Sequence, residues 1–149
     1  MPLVSAATLY PLFVSLASKD QAAAVANITA RELLKAGGIV TTTLATGQQG
    51  DSPNGWAPLQ WIAISGLRGY DEAPLAATIA CRWMANVNEV YRHSGKLVEK
   101  YDVVTVGRSG GGGEYPSQDG FGWTNGVMRK LMALYPADAD LASPALCRS

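Results

Sequence analysis

The sequence predicts an all-α chain of about five helices joined by two long loops. Three observations predict it. Apolar residues recur every three to four positions in several segments, and Leu75, Ile79, Trp83 and Val87 form the longest series. Helix-start signals precede these segments: Ser18-Lys-Asp-Gln21 reads as a capping box, and Pro58 and Pro74 sit in first turns. No segment shows the sustained alternation of a half-buried strand.

The elements follow in order. Ala6 to Ala17 is apolar and reads as a short buried helix, with Pro11 starting or kinking it. A second helix spans Gln21 to Ala36, with Val25, Ile28 and Leu33 near one face and Gly37-Gly38 stopping it. Ile39 to Gly55 is a polar loop, long for a connection inside a compact domain. The third helix opens at Trp56-Ala-Pro58, carries Leu59, Ile62, Ala63 and Leu67, and ends at Gly66 or Gly69. Asp71-Glu-Ala-Pro74 starts the longest helix, about Pro74 to His93. The second long loop contains Val103-Val104-Thr-Val106, a candidate for a brief β segment. A last helix runs from Trp123 or Thr124 through Met128, Leu131 and Met132 to Leu134. The tail after Pro136 is small and polar and reads as partly loose. The helices come as hairpins, which gathers the two loops at one end of the bundle.

Composition narrows the class. A chain of 149 residues fits one domain and buries a core. Twelve basic and twelve acidic residues cancel, with no basic stripe, so nucleic acid is not an expected partner. Charged residues are 16% of the chain and hydrophobic ones 48%, many of them alanine. Soluble domains carry about 25% charge. This balance suits closely packed helices, part of whose surface is covered by something else. No apolar run approaches the roughly 18 residues of a membrane span, and no membrane partner is expected. The start Met1-Pro-Leu-Val-Ser lacks a signal-peptide pattern. Cys81 and Cys147 fit no metal spacing; Cys81 reads as a small core residue, Cys147 lies in the tail, and the two decide nothing about compartment.

The segment from Glu99 to Gly126 carries most of the chemistry. Glu99, Asp102, Glu114 and Asp119 sit among Tyr101, Tyr115, Phe121 and Trp123. Eight of the 16 glycines fall between Gly107 and Gly126. Carboxylates beside aromatics suit a sugar: acids move protons or bind hydroxyls, and rings pack on the apolar face of a pyranose. Glycines let a non-helical backbone run close to a ligand. A run of four glycines also suits a flexible linker, but a linker is not usually followed at once by Glu114-Tyr-Pro and Phe121-Gly-Trp123. The run is not a phosphate loop, because no Gly-Lys-Ser/Thr follows it. His93 is the single histidine and reads as a helix-terminal cap rather than a catalytic or metal residue. Trp61 and Trp83, at helical positions, read as core. Trp56 and Trp123, at loop–helix junctions, read as pocket walls.

Gln49-Gly-Asp51-Ser-Pro53-Asn-Gly55-Trp56-Ala57-Pro58 closely resembles the second signature of trehalases, Gln-Trp-Asp-x-Pro-x-Gly-Trp-Ala/Pro/Ser-Pro. Glu99-Lys-Tyr-Asp102 and Gly113-Glu-Tyr-Pro-Ser-Gln-Asp-Gly-Phe-Gly-Trp-Thr-Asn-Gly126 resemble two further blocks of the same family. Together these matches cover residues 49–61 and 99–127. The resemblance implies hydrolysis of the α,α-1,1 bond of trehalose to two glucoses, with inversion and without metal or cofactor. It implies an α/α toroid of six helical hairpins. Glu99 matches the family's general base and Glu114 a sugar-binding residue. Gln49, Asp51, Trp56 and Trp123 are the further substrate-contact candidates, with Asp102 and Asp119 as supports. An inverting glycosidase holds two carboxylates about 6.5–9.5 Å apart around a water. Glu99 would hold that water, and Glu114 would accept sugar hydroxyl hydrogen bonds.

Two departures stand out. Gly50 replaces the family's tryptophan, which weakens sugar binding or reshapes the pocket. The first family signature and the general-acid aspartate are absent. The chain therefore reads as the C-terminal third or so of a trehalase catalytic domain: one unit over 1–149, with 136–149 as its tail. Alone, it is expected to leave trehalose intact. The alternatives are a catalytically inactive trehalase-like module binding sugar or a partner, and another α/α-toroid carbohydrate enzyme. Cut helix faces are expected to drive self-association. The parent is periplasmic or cytoplasmic, with the periplasm slightly favoured.

Overall fold

A computed structural model describes residues 3–147 of the chain. A 3-10 turn, Ala6–Leu9, leads into α1, Tyr10–Phe13. Helix α2, Lys19–Ile28, continues as a π turn over Thr29–Leu33. Strands β1 (Leu34–Lys35) and β2 (Gly38–Ile39) form a small antiparallel hairpin. Strand β3 (Asn54–Trp56) runs into α3 (Ala57–Arg68), followed by α4 (Ala73–Ser94). Strand β4 (Lys100–Asp102) precedes the glycine-rich loop and α5 (Gly122–Leu134). Two 3-10 turns, Pro136–Asp138 and Pro144–Leu146, complete the chain.

The fold is mostly helical, as the periodicity predicts. Helix α4 is its centre. Ala76, Ile79, Ala80, Trp83, Met84, Val87 and Val90 are buried along one broad face, and so are Cys81 and Ala85 on the opposite side. A helix apolar nearly all round has neighbours nearly all round. Here they are α3, α5, β2 and the terminal turns. Gly95 ends the helix at φ 69°, and its N–H donates to Tyr91 O at 2.7 Å. Trp83 is fully buried and meets the Tyr101 ring edge-on at 5.2 Å. Truncating such a tryptophan typically costs about 3–5 kcal/mol. Trp61 is only half-buried against the same core.

The predicted capping box at Ser18 and Gln21 is present, with both reciprocal bonds formed. The second helix stops earlier than the glycine pair suggests, because Leu34 turns extended and pairs with Ile39. Buried Gln60 on α3 fixes that hairpin, donating to Ile39 O at 2.8 Å and accepting from Ile39 N at 2.9 Å. The N-terminal helix is shorter than predicted. Leu9 and Leu12 are buried, but Tyr10, Phe13, Val14 and Leu16 are exposed, and Ser15 takes φ 58°.

Strand structure is also present, contrary to the sequence reading. Strand β3 pairs antiparallel with β4: Asn54 faces Asp102, Gly55 faces Tyr101 and Trp56 faces Lys100. The strand lies just before the valine run expected to form it. Asp102 Oδ1 accepts from the N–H groups of Val104 and Thr105, which turns the chain there.

The tail is not loose as far as Cys147. Cys81 and Cys147 form a disulfide across a sequence separation of 66. Cys81 is thus a cross-link on α4 rather than a plain core residue. Asn88 on α4 donates to Ala139 O at 2.9 Å and reinforces the same docking. Closing a loop of this length stabilises a fold by roughly 4 kcal/mol in the chain-entropy account. Urea unfolding of Cys147→Ser should show a loss of that order; an unchanged midpoint would contradict it.

Candidate functional site

The two long loops meet where β3 and β4 pair. Buried Asn54 joins them: its Nδ2 donates to Gly111 O at 2.7 Å and Gln49 O at 3.2 Å, and its Oδ1 accepts from Gly111 N at 3.1 Å. Gly110 packs so tightly here that a Cβ would lie 2.5 Å from Asn54 Oδ1 and 2.9 Å from Lys100 Cγ. Gly112 takes φ +84°, and a Cβ there would lie 2.5 Å from Gly47 O. These glycines permit close backbone approach between two loops. The four-glycine run is a packed seam, not a linker.

Glu99 sits at a bend just before β4 and is 5% exposed. Its backbone is clamped on both sides. Its N–H donates to Gln118 O at 2.7 Å, and its carbonyl accepts from Trp123 Nε1 at 3.1 Å. Thr124, at the start of α5, adds a 2.7 Å bond to Val98 O. The side chain lines an open cleft of about 250 Å³ with Tyr115, Gln118 and Phe121. A larger cleft of about 530 Å³ lies elsewhere, walled by Lys35, Arg82 and the tail. No carboxylate is among its lining residues.

Lys100 is the site residue that sequence reasoning missed. It is fully buried, and its Nζ donates to Glu99 Oε2 at 2.9 Å and to Gln49 Oε1 at 3.3 Å. The ammonium lies 5.4 Å from the Trp56 ring centroid and 5.5 Å from that of Tyr115. Gln49 Nε2 donates in turn to Tyr115 Oη at 3.3 Å. The network runs from Glu99 through Lys100 and Gln49 to Tyr115 and spans both loops. The sequence offered one signal for it: Lys100 stands between two residues of a chemistry-bearing block.

The other predicted residues divide into two groups. Gln49 and Trp56 meet at Lys100, and Trp123 reaches the Glu99 carbonyl. Trp56 meets Trp123 edge-on at 5.8 Å, Phe121 tilts against Trp123 at 4.7 Å, and Trp56 Nε1 donates to Gln49 O at 3.2 Å. Glu114 is exposed on the glycine loop, beside Tyr115. Asp51 instead bonds within its own loop, accepting from Thr46 Oγ1, Thr46 N and Thr42 Oγ1. Asp102 serves its turn. Asp119 lies at the surface and pairs with Lys96 at 2.8 Å; that contact lowers the carboxyl pKa and raises the ammonium one. Gly50 is exposed, with open space where a side chain would stand.

Comparison with known proteins gives the family of the chain. The trehalase family model matches residues 1–136. The chain is 54% identical over 142 residues to the periplasmic trehalase of Xanthomonas oryzae pv. oryzae, covering 95% of this chain and 25% of that protein. It is 55% identical over 132 residues to the periplasmic trehalase of Pseudomonas aeruginosa, covering 89% of this chain and 24% of that protein. The fold superposes on neutral trehalase Nth1 from Saccharomyces cerevisiae with a TM-score of 0.78 at 28% identity, over 97% of this chain and 27% of that one. The chain belongs to the trehalase family. It spans about a quarter of the length of these relatives.

Tyr101 supports the site from below. Its ring is fully buried under β4, and its hydroxyl accepts from Val98 N at 2.9 Å. Burial pushes the phenol from 10.0 up to about 12, and the Val98 bond opposes that rise. The folded value lies above the unfolded one, so this stabilisation is complete below pH 10 and is lost as pH climbs towards 12. The loss amounts to roughly 2–3 kcal/mol. Chemical denaturation at pH 9 and pH 12 should show a smaller alkaline drop for Tyr101→Phe than for the parent; equal drops would refute the assignment.

Proposed function

We propose that the chain carries the base half of an inverting glycoside-hydrolase site for α,α-trehalose. The observation that carries this reading is Glu99: a buried carboxylate opening on a cleft shared with Tyr115 and Phe121, ion-paired with Lys100, and held at its backbone carbonyl by Trp123. In this reading Glu99 holds a water by accepting its hydrogen bond. It takes the proton as the water's oxygen bonds to the anomeric carbon from the face opposite the leaving sugar. Glu114 on the glycine loop accepts sugar hydroxyls, and the indoles of Trp56 and Trp123 offer apolar faces to the pyranose. Gln49 orients the tyrosine and the ammonium at the cleft's edge. Asp51 shapes the first loop.

The rest of the whole-protein reading follows the family. Residues 1–149 form the C-terminal part of the catalytic domain, with α3 and α4 as a hairpin of an α/α toroid. The likeness to neutral trehalase Nth1 over 97% of this chain and 27% of that one supports this. The general acid comes from the remaining portion. The parent works in the periplasm: two relatives are named periplasmic trehalases, and a disulfide suits an oxidising compartment.

The complete protein should release glucose from trehalose, and Glu99→Gln should abolish turnover. The 149-residue chain alone should release none. Turnover by the isolated chain that disappears with Glu99→Gln would overturn the half-site reading. The exposed Gly50 favours a second reading, a non-catalytic sugar-binding module. Titrating trehalose into the complete protein while following tryptophan emission separates the two: saturable quenching without glucose release supports the module.

Exposed Tyr10, Phe13, Val14 and Leu16 gather around α1. We propose that this face drives the isolated chain to self-associate. Light scattering at rising concentration should show growing mass, reduced by Leu16→Glu; a clean monomer throughout would contradict it.

A further inference from the structure

Lys100 has no assigned role in the reading above, yet it is the most costly side chain in the site. It is fully buried, and Glu99 beside it is 5% exposed. Two charges withdrawn from water are seldom worth their desolvation as stabilisers, and an apolar pair of similar volume often packs as well or better. The geometry points to a positional task.

Neighbouring residues of a strand point to opposite faces. Glu99 and Lys100 escape that rule because Glu99 lies at the bend before β4, so the lysine can fold back onto the carboxylate. Its Nζ contacts only one of the two carboxylate oxygens, Oε2. Among the described residues Oε1 accepts no hydrogen bond, while the side chain borders the open cleft. The ammonium is itself held. Gln49 Oε1 takes a second N–H, and the Trp56 and Tyr115 rings flank it at 5.4 and 5.5 Å. Gly110 closes the stem so tightly that a Cβ there would lie 2.9 Å from Lys100 Cγ.

We propose that Lys100 is a positioning residue: it pins Oε2 of Glu99 on the buried side and so presents Oε1 to the cleft. The same ammonium joins the carboxylate to both loops, so the carboxylate takes up its position only when Gln49 and Tyr115 are also in place. This inference rests on Glu99 as the water-activating base. An error of about 1 Å in a reacting group can cost on the order of a hundredfold in rate.

The test compares Lys100→Met and Glu99→Gln in the complete protein, with trehalose as substrate. Lys100→Met should lower kcat on the order of a hundredfold and leave KM within about threefold. A purely structural loss would instead reduce the folded fraction and leave kcat per folded molecule unchanged. Activity is therefore referred to the amount that melts cooperatively. If Lys100→Met does not fold, Lys100→Gln is read by the same criterion. Unchanged kcat with Glu99→Gln inactive would overturn the positioning role alone. Unchanged kcat in Glu99→Gln would overturn the base reading itself.

Discussion

Three residues of β3 pairing with three of β4 hold the site together. The pairing aligns Asn54 with Asp102 and Trp56 with Lys100, bringing residues 44 to 48 positions apart into register. Everything functional hangs from it. Asn54 reaches the glycine loop, Trp56 lies against the Lys100 ammonium, and Glu99 falls at the bend just outside the ladder. Six residues do not make a stable sheet in water. This ribbon persists because α3 continues directly from β3, and because Tyr101 and Val103 bury their side chains in the core. The helical core is thus the support, and the short ribbon is the tool that it positions.

The helices were legible because their signals are local. Leu75, Ile79, Trp83 and Val87 repeat at the helical period, and Ser18 with Gln21 forms a cap within one turn. The ribbon was not legible, because its pairing is long-range and its residues are poor strand formers. Lys100 and Asp102 have low strand propensity, whereas the valines after them have high propensity and lie beyond the ladder. Tertiary pairing overrides propensity there. The disulfide was hidden for a similar reason: a spacing of 66 residues carries no geometric information until α4 and the tail are docked.

The site was legible in composition and in motif, but not in its wiring. Glu99, Trp56, Trp123 and Gln49 were singled out, and the fold brings them together. In sequence Asp51 reads as a substrate contact and Asp102 as a support. In the fold their oxygens are spent on neighbouring hydroxyls and N–H groups, which is the ordinary work of an aspartate in a loop. Lys100 was not singled out, because lysine is seldom buried without a partner. The partner is its own neighbour in the chain, a pairing that strand alternation forbids and a bend allows.

The glycines explain why such wiring is possible. A side chain at Gly110 would strike Asn54 and Lys100, and one at Gly112 would strike the Gly47 carbonyl. The tight approach there closes the seam between the loops and leaves Lys100 without water. A buried ammonium with fixed acceptors has few arrangements open to it, and so does a carboxylate tied to that ammonium. Rigidity at Glu99 therefore originates partly in residues that have no side chain. The glycine run and the acidic residue are one device: the first removes the freedom that the second would otherwise have.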